Sequence, residues 1–118
     1  MNIHNQDDGN LSYRKYERHI FICINQREHE ESCGEAIGMR LVAKFKKTIA
    51  EKNLKVPIRA QRAGCLDVCN FGPALVVYPE GIFYGHVQES DVEEIVESHI
   101  VHGNPVERLV LKFNKNPK

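Results

Sequence analysis

GPALVVYPEGIFYGHV, residues 72–87, decides the fold. A Gly-Pro pair opens it, an apolar run rich in valine follows, and a second run carries Ile82, Phe83 and Tyr84. Glu80-Gly81 between the runs is a tight-turn dipeptide. The stretch therefore reads as a β-hairpin, strand 74–79 paired with strand 82–87.

Working outward, VPIRA (56–60) is a further strand, and Pro57 restricts it to an edge or puts the proline at its start. HIFICI (19–24) is apolar on both alternating faces, as in a central strand buried on both sides. Between these two, Ser32 and Glu35 form an S-x-x-E capping box that predicts a helix with Cys33 in its first turn. Ile37, Leu41, Phe45 and Ile49 recur at i, i+4 along it as a core stripe, with Val42 and Thr48 beside them, and Asn53 marks its end. Downstream of the hairpin, Ser90 and Glu93 form a second box. Val92, Ile95, Val96, His99 and Ile100 then share one face, and Gly103 and Pro105 close the helix. VERLVL (106–111) is read as extended.

The order is β-α-β, a loop, then β-β-α. That pattern resembles the thioredoxin-like plan: an α/β domain with a mixed four-stranded sheet, two main helices and a right-handed crossover joining a parallel pair. By the same analogy the Gly72-Pro73 bond is expected to be cis. The reading divides the 118 residues into a tail (1–17), one domain (18–111) and a short C-terminal tail (112–118). Sixteen basic and sixteen acidic side chains balance, so no overall field points to nucleic acid or membrane. The charges are nevertheless segregated. Residues 40–62 hold eight bases against Glu51 alone, and residues 89–97 hold five acids and no base. No apolar run has membrane-spanning length, and the polar N-terminus lacks a signal-peptide core; a cytoplasmic location is expected.

Four cysteines in a reducing compartment point to metal or redox chemistry. In this plan the loop after the first strand and the loop before the third lie at the same end of the sheet. Cys23 and Cys33 belong to the first loop, Cys65 and Cys69 to the second. Four thiolates meeting there suit a 2Fe–2S cluster or a structural zinc. Zinc sites of four cysteines commonly use two C-x-x-C knuckles, and the gaps here are nine and three residues. A helix N-terminus beside Cys33 would stabilise an anionic group, and Gly34, Gly64 and Gly72 would let backbone N–H groups approach the sulfurs.

The stretches FICINQR…SCGE, GCLDVC…GPALVVYPEGIFYGHV and DVEEIVESHIVHGNPVERLVL resemble the thioredoxin-like, or Shethna-type, 2Fe–2S ferredoxins over residues 19–111. The resemblance implies that Cys23, Cys33, Cys65 and Cys69 are the ligands of one cluster per chain. It also implies a small one-electron carrier without substrate chemistry of its own, a homodimer, and transient redox partners. Two alternatives share the fold: a four-cysteine zinc interaction domain, and a thiol–disulfide redox protein using Cys65 and Cys69.

None of the six histidines is assigned to the metal. His29 reads as solvated, His99 as a packed core residue and His86 as part of a strand. Asp67 reads as a turn residue, and Tyr78, Phe83 and Tyr84 as hairpin packing. No phosphate-binding glycine loop or nucleophile elbow is found.

Overall fold

The computed structural model describes residues 11–27 and 33–115. Strands β1 (Arg18–Cys23), β2 (Ile58–Ala63), β3 (Leu75–Tyr78) and β4 (Ile82–Tyr84) form one sheet in the order β2-β1-β3-β4. β1 runs parallel to β2 and antiparallel to β3, and β3 pairs with β4 as the expected hairpin. Helix α1 (Glu35–Lys52) connects β1 to β2. After a 3₁₀ turn (Glu89–Asp91), α2 (Val92–Ile95) continues into a π-helical stretch (Val96–Val101), making the single C-terminal helix that the periodicity predicts.

Alternation along the strands sorts the side chains. Ile20, Ile22, Leu75, Val77 and Tyr84 face the helices and pack with Leu41, Val42, Phe45, Val92, Ile95, Val96 and Ile100. Each such large apolar side chain contributes about 1.5–3 kcal/mol on burial. The opposite parity holds Phe21, Tyr78, Phe83 and Cys23. There the His19 and Phe21 rings stack at 4.1 Å, Tyr78 meets Phe21 edge-on, and Phe83 meets Phe113. Tyr78 stays 45% exposed, whereas Tyr84 is fully buried.

Five expectations need correction. Cys33 is not in the first turn of α1, because Gly34 is the N-cap residue at φ 89° and the helix begins at Glu35. Ser32, the expected capping residue, lies outside the described residues; the N–H of Glu35 donates to Gln26 Oε1 at 3.0 Å. Ile37 is 44% exposed rather than core, since the buried face of that turn is taken by Gly38. A Cβ at Gly38 would stand 2.5 Å from the Cys23 carbonyl oxygen, so only glycine lets the helix sit this close to β1.

The second capping box is Gln88 with Asp91, two residues earlier than Ser90 with Glu93, and the Gln88 N–H donates to Asp91 Oδ2 at 2.8 Å. Finally, β4 stops at Tyr84, so His86 is not in a strand. It adopts φ 54°, and its N–H bonds to the Phe71 carbonyl as the chain turns away from the sheet. Segment 106–111 is only partly extended: Glu107–Leu109 is a 3₁₀ turn, after which Val110 bridges Tyr84.

Pro57 immediately precedes edge strand β2, and the Gly72-Pro73 bond is cis. Tyr78-Pro79 is cis as well. Gly103, at φ 80°, closes the last helix through its N–H to the His99 carbonyl.

Candidate metal centre

Parallel pairing places the C-terminal ends of β1 and β2 side by side, with Ala63 opposite Cys23, and antiparallel pairing sets Leu75 beside Ile22. The segments leading out of β1, out of β2 and into β3 therefore meet at one end of the sheet. Cys23 ends β1, Cys33 immediately precedes the N-cap of α1, and Cys65 and Cys69 lie between β2 and β3. Ties across the first loop fix its two sides: the Gly34 N–H donates to the Asn25 carbonyl at 2.8 Å, beside the Gln26–Glu35 bond.

The thiols sit as two pairs. Cys23 and Cys33 are buried, at 1% and 3% exposure, in a small cluster with Val68 and Ala74, flanked by Leu66, Phe83 and Leu111. Their side chains are hydrogen-bonded to each other. Cys65 and Cys69 lie nearer the surface, with sulfurs 3.4 Å apart. Cys69 is close enough to both buried thiols to interact with them electrostatically, which joins the pairs into one constellation. Among the described residues, no three His, Cys, Asp or Glu side chains are set to hold a lone metal ion.

Burial pushes the Cys33 thiol up to about 12, and its hydrogen bond with Cys23 adds to this against the Ala74 N–H. Cys65 is pulled down instead. The Asp67 N–H, 3.2 Å from its sulfur, is the main cause, followed by the Cys69 thiol and the positive charge of Arg27. Cys69 is raised as the partner of Cys65 and by burial. At the outer rim, then, it is Cys65 that the Asp67 N–H and Arg27 hold toward its anionic form.

The donor set fits a four-thiolate iron–sulfur group. Backbone N–H groups reach three sulfurs: Asn25 to Cys23 at 3.5 Å, Asp67 to Cys65, and Ala74 to Cys33. Arg27 Nη2 stands 3.3 Å from the Cys65 sulfur. A Cβ on Gly72 would lie 3.0 Å from the Cys33 sulfur and 3.1 Å from its Cα, so this glycine keeps the second loop against the first. Gly64 has open space around its Cα and makes no such approach.

The structure places all four cysteines at one end of the sheet. His29 lies outside the described residues, His99 is fully buried in the core, and Asp67 occupies a turn at φ 65°. Asn25, Gln26, Arg27 and Gly38 escaped the sequence reading. The three polar residues look like ordinary loop, and only the approach distance reveals the role of Gly38.

No protein-family model matches the chain. Curated 2Fe-2S ferredoxins do. That of Aquifex aeolicus (strain VF5) is 36% identical over 104 residues, covering 85% of this chain and 94% of the relative. That of Clostridium pasteurianum is 39% identical over 94 residues, covering 77% and 92%. The wild-type thioredoxin-like 2Fe-2S ferredoxin of Aquifex aeolicus superposes with a TM-score of 0.74 at 37% identity, over 81% of this chain and 97% of that one. A cysteine-to-serine variant of the same ferredoxin gives 0.73 at 36% identity, over 81% and 99%. With sequence, fold and thiol constellation in agreement, the chain belongs to the thioredoxin-like 2Fe-2S ferredoxin family.

Proposed function

We propose that the protein is a one-electron carrier whose 2Fe–2S cluster is held by Cys23, Cys33, Cys65 and Cys69. The observation that carries the ligand set is the meeting of two thiol pairs, from two loops, across a glycine where a Cβ would crowd Cys33. When bound, the cluster takes up and releases one electron between its diferric and mixed-valence states.

The chain's own part is to hold, insulate and tune. Cys23 and Cys33 keep one side dry, and Cys65 and Cys69 present the other to a partner. The N–H groups of Asn25, Asp67 and Ala74, together with Arg27, favour negative charge on the sulfurs and so raise the potential. The same reading gives no substrate chemistry of its own, a cytoplasmic setting, a domain over 18–111, transient redox partners and a homodimer. The half-exposed aromatic sheet face around Phe21 and Tyr78 supports the dimer. No helix among the described residues is long and apolar enough to cross a membrane.

The test is anaerobic purification followed by a visible spectrum with iron and acid-labile sulfide counts. About two of each per chain, with absorbance that bleaches on reduction, is the expected result. Cys65→Ala should lose most of that absorbance, while His29→Ala keeps it. Equal losses would remove the ligand assignment, and one zinc without sulfide would remove the function.

A further inference from the structure

The chain is neutral overall, yet the fold neutralises its charges unevenly. Every acid of the run 89–97 is engaged: Glu89 with Arg40, Asp91 and Glu94 with Arg108, and Glu93 and Glu97 with Lys52. Across α1 the balance differs. Lys46, Arg59 and Arg62 are exposed, and among the described residues none has a carboxylate within ion-pair distance. With Met39, Val42 and Gln61 they line a groove between α1 and edge strand β2.

This groove leads to the redox site. Arg62 pairs with Ile22, one step before the Ala63–Cys23 pair, and the chain then enters the loop of Cys65. Cys65 is an exposed thiol and already has Arg27 beside it. Resting on the reading of the chain as an electron carrier, we infer that the Lys46–Arg59–Arg62 groove is the docking surface for a redox partner that presents carboxylates.

Charge and size select that occupant. With no net charge to orient an encounter, a local patch has to do it. Two of the three cations are arginines, whose planar forks match carboxylates. A second copy of this chain is a poor occupant, because its acidic run is already paired internally. Three cations make a small footprint, on the scale of a transient redox encounter rather than of a phosphate backbone.

The test is voltammetry of the cluster-loaded protein on gold carrying either a carboxylate-terminated or an ammonium-terminated monolayer. One electron passes between gold and cluster in each direction of the sweep. Exchange should be faster on carboxylate. Raising the salt from about 0.01 M to 1 M, which shortens the Debye length from ~30 Å to ~3 Å, should remove that advantage. The combined Lys46→Gln, Arg59→Gln, Arg62→Gln variant, with full visible absorbance, should lose roughly tenfold in rate on carboxylate. Lys15→Gln, remote from the groove, should match the wild type.

Faster exchange on ammonium, or a triple variant equal to the wild type, would overturn the docking surface. So would tight binding of a duplex oligonucleotide by the wild type and not by the triple variant, which would assign the groove to nucleic acid. A wild-type protein without the cluster spectrum would overturn the carrier reading beneath it, and that shows before any electrode is used.

Discussion

Arg27 and Asp67 bracket one sulfur. The guanidinium reaches Cys65 Sγ at 3.3 Å and the Asp67 N–H reaches it at 3.2 Å, so a cation and a backbone dipole both favour electron density there. Positive charge beside a thiolate ligand stabilises the more negative, reduced state. Arg27→Gln should therefore lower the reduction potential, by roughly 30 mV, or about threefold in the equilibrium constant of a one-electron couple. Potentiometric titration of both proteins at low salt reads this directly, and an unchanged or higher potential would show that Arg27 does not face the redox centre. Sequence alone hides this role, since one arginine in NQREHEES looks solvated. The cysteines were legible for the opposite reason: few residue types can explain four thiols on two converging loops. Gly72 lay between these cases, visible as part of Gly-Pro but not as the residue whose missing Cβ leaves Cys33 uncrowded.

At the scale of elements, α1 is placed by contacts that periodicity does not encode. Its apolar stripe specifies which side faces the sheet, and Leu41 and Phe45 are indeed fully buried. Stripe geometry says nothing of how close the first turn comes to β1. Gly38 sets that distance, turning Ile37 sideways toward Pro73 and Val87. The start of the helix is likewise held from a distance, by Gln26 from across the loop. Gly38→Ala gains intrinsic helix propensity, worth up to about 1 kcal/mol, but pushes a methyl against the Cys23 carbonyl. Overpacking of this kind costs about 1–3 kcal/mol, so the clash wins. The variant should melt several degrees lower and lose cluster absorbance faster in air, because Cys23 and Cys33 flank the displaced turn. A variant at least as stable as the wild type, as an ordinary Gly→Ala change in a helix would give, would show that α1 can withdraw from β1 without cost. The strands were easier to read: hairpin 72–87 fixed two neighbours, and β1 had to be central because both its faces are apolar.

Across the whole molecule, one polar chain, open to solvent at Glu80 and buried at Tyr84 and His99, ties the parts together. Arg18 at the start of β1 grips Glu80 in the hairpin turn at 2.7 Å and reaches the Ile100 carbonyl at 3.4 Å. Glu80 faces His99 Nε2 at 3.5 Å, too far for a good hydrogen bond, and His99 Nδ1 pairs with the Tyr84 hydroxyl at 2.8 Å. The Val106 N–H donates to the same hydroxyl at 3.0 Å. The apolar face predicted His99 as a core residue, but its partners come from β1, the hairpin and the C-terminal segment, which no local pattern brings together. Burial holds the His99 imidazole below its usual 6.5 even though Glu80 pulls the other way. The sign of the consequence follows. Below about pH 6.5 the unfolded chain binds a proton at this residue that the folded protein refuses, so the stability present above that pH is lost as pH falls toward the lowered folded value. Within that window the loss approaches about 1.4 kcal/mol per pH unit. Thermal unfolding between pH 7.5 and pH 5 should show the midpoint falling in the wild type. His99→Asn, which keeps an acceptor for the Tyr84 hydroxyl and cannot titrate, should start lower but fall less over the same interval. Parallel declines in the two proteins would mean that His99 takes its proton as readily folded as unfolded, with Glu80 compensating fully for burial.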